Sequence, residues 1–267
     1  MDKKIYLDKV LEFLVKDTGI EIPDSLNDKR KLWKKLVMEN NIFDIPNDVL
    51  LNEDKFLRLD LINRKLTDAE KLKTIDVTLD SKIAFSNKIA LWQGDITTMY
   101  ADVLVNSTTA DVIGCGDYKK GALDSSIFSR SGMRLRLKCK EIMKDEILNT
   151  SEILVTRAYN LPSDFIIHVV TPKIIENVTE EQQVELKMCY LNILECAKNN
   201  MAKTIVIPCI GTGYNNFPKM LAAEIAIEAV CEFLKANDKE VDKVIFNVFS
   251  DDDFDIYCNL LTGGQDA

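Results

Sequence analysis

The 267-residue chain has a single histidine, only ten glycines and six prolines, and aromatic residues make up just 7% of it. No apolar run approaches the ~20 residues that span a bilayer, so no membrane partner is expected. The opening MDKKIYLDKV mixes acids with bases and lacks an apolar core, which argues against a secretory signal and for a cytoplasmic protein. The lone histidine, His168, lies inside the apolar run FIIHVV. Ser-His or Cys-His catalysis would hang on the middle of a buried strand, so a core role is expected for it. Seven cysteines, an odd number with no Cys-x-x-Cys among them, suggest reduced, buried thiols rather than a disulfide framework. Acids outnumber bases 43 to 34, for a net charge of −9. Such a surface repels phosphate backbones and excludes general nucleic-acid binding. A small phosphorylated ligand stays open, because backbone amides and helix N-termini bind it without side-chain charge.

What is present is a globular balance, with 46% hydrophobic and 29% charged residues. Residues 1–75 are expected as a helical N-terminal extension. Ile5, Val10, Leu11 and Leu14 recur at helical spacing, as do Leu32, Trp33, Leu36 and Val37 in a second helix over about 28–40. A third helix follows Pro46 through roughly Asn63, and Thr67-Asp68-Ala69-Glu70 has the form of a capping box opening a short last one. Residues 76–87 read as a linker or an edge strand. Over 88–267, six apolar, β-branched runs (IALWQ, DVLVNS, EILVTRAY, FIIHVVTP, TIVIPCI and KVIFNVF) alternate with helical stretches near 121–145, 180–200 and 217–237. That alternation predicts an α/β domain with a mostly parallel sheet covered on both faces.

Six of the ten glycines follow strands of this domain: Gly94, then Gly114, Gly116 and Gly121, then Gly211 and Gly213. Ligands of open α/β sheets bind beyond the carboxyl ends of the strands, and glycine there lets backbone N–H groups approach an anion. The spacing favours a phosphate or nucleotide cradle, although neither GxxxxGK[ST] nor a first-strand GxGxxG is present.

Several segments, in order, resemble one family. They are Trp92-Gln93-Gly94-Asp95-Ile96-Thr97, Ala101-Asp102-Val103-Leu104-Val105-Asn106, Gly114-Cys115, Ala158-Tyr159-Asn160-Leu161-Pro162, Pro208-Cys209-Ile210-Gly211-Thr212-Gly213-Tyr214 and Phe246-Asn247-Val248-Phe249. They resemble macrodomains over essentially the whole chain, and most of all the bacterial zinc-dependent, sirtuin-associated branch that removes mono-ADP-ribose from proteins. The resemblance implies a three-layer α/β/α sandwich with a mixed, mostly parallel central sheet behind a small helical extension. It implies that Asp95 accepts from the adenine amino group with the Ile96 N–H beside it, or else caps a helix, or both. Phe249 would stack on adenine or lie in the core, and Gly211-Thr212-Gly213-Tyr214 would wrap the diphosphate, with Tyr214 over the distal ribose or capping the loop.

The departures from the family cluster where it does its chemistry. Its Cys-x4-His-x-Cys zinc set becomes Cys115, Lys120 and Ala122, and one thiolate beside an ammonium is not a zinc site. No metal or other cofactor is therefore expected. The asparagine-rich stretch reads Asn106-Ser107-Thr108-Thr109, placing Thr109 where an asparagine would handle the distal ribose, and a Gly-x-Ala is lost near Ser151 and Ile153. Asp124 is retained. Two readings follow: a reader of ADP-ribose or mono-ADP-ribosylated protein with weak or no hydrolysis, which is favoured, or a zinc-free hydrolase. In the second, Asp124 orients a water and Lys120 offsets charge. In the family the modified partner includes a lipoyl carrier protein. A third reading takes Lys119, Lys120, Arg130, Arg134 and Arg136 as a positive patch for another nucleotide or an acidic protein.

Overall fold

The computed structural model describes residues 3–39, 44–114, 123–144 and 146–263. Three helices come first, α1 (Lys3–Leu14), α2 (Leu26–Glu39) and α3 (Asn47–Ile62). Their apolar stripes build a core of their own from Leu7, Val10 and Leu11, Trp33 and Leu36, and Phe56 and Leu57. The turn-by-turn spacing of these residues is what makes each helix bury one side.

Thr67-Asp68-Ala69-Glu70 opens no α-helix. Thr67–Asp68 form a short strand, β1, paired in parallel with Met99 and Tyr100, and Asp68 caps only a 3-10 turn by accepting from the Glu70 amide at 3.0 Å. The turn is held by the Lys243 ammonium, which donates to the carbonyls of Ala69, Glu70 and Leu72 at 3.0, 2.8 and 2.6 Å. A partner from the far end of the chain thus overrides the local capping pattern. Residues 76–87 form no strand, and α4 (Ile75–Thr78) is a single turn. Ala69 and Ile75 are buried in the two cores that flank the sheet, so this segment packs with the α/β unit.

The remaining strands are β2 (Ile89–Gln93), β3 (Met99–Ser107), β4 (Ile153–Arg157), β5 (Ser163–Val169), β6 (Thr204–Pro208) and β7 (Lys243–Val248). They lie in the order β2-β7-β6-β3-β5-β4, with β1 joined to β3. All pairings are parallel except that of β4 with β5. Alternate strand residues face opposite layers. Ile205, Ile207, Val244 and Phe246 meet α7 (Glu180–Asn199), α8 (Lys219–Asn237) and α9 (Asp251–Leu261), while Val206 and Ile245 meet α5 (Leu123–Ser131) and α6 (Met133–Met143). The apolar pattern does not announce α9. Ser250 caps it, accepting from the Asp253 amide at 3.1 Å, and three aspartates in its first turn favour the positive end of its dipole.

The helical stretch expected near 121–145 is two helices, α5 and α6, divided at Gly132, whose φ is +95°. A Cβ there would lie 2.9 Å from Glu53 Oε2 and 3.0 Å from Leu57 Cδ1, so only glycine lets α3 settle on the α5–α6 junction. The seam is polar and buried. Glu53 accepts from Trp33 Nε1 at 2.9 Å and from the Met133 amide at 2.6 Å. Asp54 accepts from Arg134 Nε and Asn160 Nδ2, both at 2.8 Å. Asp60 pairs with Lys3, Arg30 and Arg130. Arg136 donates to the carbonyls of Ile113 (2.7 Å), Met38 (3.0 Å) and Val37. This corrects the positive-patch reading: Arg130 and Arg134, though 38% and 28% exposed, and the buried Arg136 are bonded within the chain, where they fasten the N-terminal helices to the sheet domain. Lys119 and Lys120 lie outside the described residues.

Candidate functional site

Because β2, β7, β6 and β3 are parallel neighbours, the loops that follow them all open on one edge of the sheet, at the carboxyl ends. Antiparallel β4 brings its start to the same edge, where Ile153 pairs with Val169. Most of the anticipated site residues gather here.

After β2, the Gly94 amide donates to Val248 O and Asn247 Nδ2 donates to Gly94 O, both at 3.0 Å, which ties the ends of β2 and β7 together. The Trp92 ring folds over Gly94, where a Cβ would come within 2.4 Å of it. Asp95 then caps the 3-10 turn Ile96–Thr98, its Oδ1 accepting from the Thr97 amide (3.0 Å) and the Thr97 hydroxyl (2.6 Å). Oδ2 is paired with the guanidinium of Arg64, which follows α3 and also donates to Thr97 Oγ1 at 3.0 Å. Burial opposes the charge on Asp95, but Thr97 and Arg64 together hold its carboxyl below the usual range. The Asp95 side chain keeps 44% of its surface exposed, and the neighbouring Ile96 amide donates to no group among the described residues. Capping and ligand acceptance are therefore compatible in one carboxylate.

Phe249, just beyond β7, is 78% exposed, which removes the core alternative for it. After β6, Gly211 takes a φ of +83° and accepts from the Phe217 amide at 3.0 Å, closing the loop. Among the described residues the amides of Gly211, Thr212 and Gly213 donate to nothing, and a Cβ on Gly213 would meet nothing within 4 Å. These are open backbone donors of the kind that bind anions. Tyr214 is 69% exposed with Lys173 Nζ 4.9 Å from its ring centre.

After β3 the arrangement is different. Asn106 is fully buried, and its Nδ2 donates to Asp124 Oδ1 at 2.7 Å and to His168 Nδ1 at 3.1 Å. The other ring nitrogen, Nε2, lies 3.0 Å from Thr156 Oγ1. Burial pushes the His168 pKa down to about 3, so the ring is neutral, with Nδ1 accepting and Nε2–H donating. His168 is a core residue that holds Asn106 against Asp124. Thr109 Oγ1 is turned to Asp111 at 2.6 Å. Ser151, at the lost Gly-x-Ala, has φ +68°, so the backbone keeps a conformation suited to glycine although the residue has changed. Cys115 and Lys120 lie outside the described residues. Burial pushes the thiols of Cys139, Cys189 and Cys209 up to about 12, which removes them as ligands or nucleophiles.

A family model described as the Macro domain matches residues 105–226. A Staphylococcus aureus protein named protein-ADP-ribose hydrolase is 33% identical over 258 residues, covering 92% of this chain and 93% of that protein. The chain belongs to the macrodomain family. The macrodomain of Trypanosoma brucei, solved in complex with ADP-ribose, shares its fold at a TM-score of 0.64 and 23% identity, covering 89% of this chain and 96% of that one. An Oceanobacillus iheyensis macrodomain with ADP is 34% identical at a TM-score of 0.56, covering 62% of this chain and 86% of that one. Within this macrodomain, Arg64 is the site residue that sequence reasoning missed. It lies outside every segment that resembles the family, and no local pattern in Leu61-Ile62-Asn63-Arg64 points to Asp95.

Proposed function

We propose that this macrodomain binds ADP-ribose, free or as mono-ADP-ribose on a protein, as a zinc-less member of the zinc-dependent branch with weak or no hydrolysis. One observation carries the reading. The open amides of Ile96 and of Gly211-Thr212-Gly213 lie at the same sheet edge as the part-exposed Asp95 carboxylate and the exposed Phe249 ring. An acceptor beside a donor suits a 6-aminopurine edge, an exposed aromatic suits its face, and a run of free amides suits a diphosphate. The donor set does not fit zinc. Cys115, Lys120 and Ala122 supply one soft ligand where three are needed, so no step is routed through a metal.

The hydrolase reading is second. It is favoured by the name of the Staphylococcus aureus relative and by Asp124, a carboxylate in the first turn of α5 held by Asn106 at the carboxyl end of β3. There Asp124 would orient a water and Lys120 would offset charge on the diphosphate. The bearer of the modification, a lipoyl carrier protein by resemblance, is part of this proposal, as is a cytoplasmic location.

The test is calorimetric titration of purified, metal-free protein with ADP-ribose. Micromolar binding is expected, and Asp95→Ala should weaken it by about 2 kcal/mol, the usual loss when a hydrogen-bonding partner is removed from a buried site. An unchanged affinity in that variant would sink the adenine assignment. Release of ADP-ribose from a mono-ADP-ribosylated protein would move the reading to the hydrolase, and Asp124→Asn should then abolish it.

A further inference from the structure

Arg64 joins the N-terminal helices to the nucleotide edge of the sheet. Its side chain is only 19% exposed, and its two terminal nitrogens bridge Asp95 Oδ2 and Thr97 Oγ1. Its own backbone is fixed by the end of α3, where the Arg64 amide donates to Leu61 O at 2.9 Å. α3 in turn is anchored through Glu53, Asp54 and Asp60 to α1, α2, α5, α6 and Asn160. A small cavity lies at this junction, lined among others by Leu57, Asp60, Arg64, Thr97, Arg130 and Asn160.

The consequence lies in the lone pairs of Asp95. Oδ1 already accepts twice from Thr97, whereas Oδ2 accepts once, from Arg64. A carboxylate offers about four acceptor positions in all. One remains on Oδ2, and the amide of the next residue, Ile96, is open. We infer that Arg64 is a positioning residue for the nucleotide, holding Asp95 in one orientation, so that the helical extension selects a 6-amino over a 6-oxo purine. This rests on the ADP-ribose reading above. The charged groups facing Asp95 are Arg64, from the segment after α3, and Arg130, of α5. Both favour the carboxylate, and burial opposes it. A protonated Asp95 could donate to a 6-oxo group, whereas the ionised form cannot. Removing the guanidinium therefore both frees the side chain to turn and raises the pH at which it takes up a proton.

The experiment titrates ADP-ribose and its inosine counterpart into the full chain and into Arg64→Ala, Arg64→Lys and Asp95→Ala, across pH 4 to 8. Melting temperatures are recorded on the same samples. Arg64→Ala is expected to bind ADP-ribose about tenfold more weakly at neutral pH, the loss of one good hydrogen-bonded contact. Its binding should begin to fail at a higher pH than in the native chain, and its preference for adenine should narrow. Arg64→Lys keeps the charge without the fork, so it should restore the native pH profile more fully than the affinity. Arg64→Ala with native affinity and pH profile would overturn the inference while leaving the ADP-ribose reading intact. Weakened binding with an unchanged pH profile would also overturn it, since that marks a merely structural role. Failure of the native chain to bind ADP-ribose would overturn both.

Discussion

Along the seam between α3 and the α5–α6 junction, Arg130, Arg134 and Arg136 each meet an acid or a helix-end carbonyl. At the carboxyl edge of the sheet, the amides of Ile96, Gly211, Thr212 and Gly213 meet nothing among the described residues. Pairing with Asp95 and lining the cavity beside Asp60 and Arg130, Arg64 touches both regions. Their difference is one of completion. Most buried groups that serve the fold are satisfied within the chain, because an unpaired one costs about 1–3 kcal/mol; Arg30 Nε and the Tyr190 hydroxyl are exceptions. In the proposed site the donors stay open for a ligand and sit where water can stand in.

The sharpest way to break this contrast is Arg136→Ala, which strips the carbonyls of Val37, Met38 and Ile113 of their shared donor. Stability to urea should fall by about 3 kcal/mol, the scale of three buried carbonyls left without a donor. A loss within about 0.5 kcal/mol would mean that water replaces the guanidinium and that the seam is not completed as described.

Next in size is the pH dependence of the seam. Burial raises the Glu53 carboxyl from 4.5 to about 7, against the hydrogen bonds from Met133 and Trp33. The native state thus holds a proton that the unfolded chain releases, so stability falls as pH rises from about 4.5 to about 7 and is level above that. The decline from this one group is about 3 kcal/mol at most. Glu53→Gln should flatten it in unfolding curves taken across that window. A slope unaltered in the variant would assign the pH response elsewhere.

The smallest effect on stability, and the most selective, belongs to Gly213→Ala. The added Cβ meets nothing within 4 Å, so stability should stay within about 0.5 kcal/mol. Affinity for ADP-ribose should nonetheless drop by about 1 kcal/mol, because the methyl group stands where the ligand's oxygens approach the backbone. Equal affinities in calorimetry would show that the diphosphate does not lie on this loop.

Much of the fold was legible because its signals are local. The runs IALWQ and TIVIP become β2 and β6, since a strand buried on both faces has to be apolar at every position. The third helix ends where its pattern stops, at Ile62. Gly94, Gly211 and Gly213 pointed to the loops after β2 and β6 through their place beyond strands, whereas Asp95 and Ile96 were named by the family resemblance alone. Thr67 misled because a capping-box spelling competes with Lys243, and nothing near Thr67 reveals that ammonium. The helical stretch near 121–145 gave no sign of its division into α5 and α6, because Gly132 is forced by the approach of Glu53 and Leu57, not by its neighbours in sequence.

Local signals along the chain specify the α/β alternation and the helices of the first sixty residues, and they mark the loops of the proposed nucleotide site. Periodicity, strand composition and glycine placement act over a few residues, and they can be read without knowing what lies opposite. The tertiary structure alone decided the partners of the charges. It turned Arg130, Arg134 and Arg136 from a presumed patch into a seam, set His168 behind Asn106, and carried Arg64 to Asp95. Coulombic and hydrogen-bonded pairings have no sequence period, so residues thirty to a hundred positions apart declare themselves only once the chain has brought them within about 3 Å.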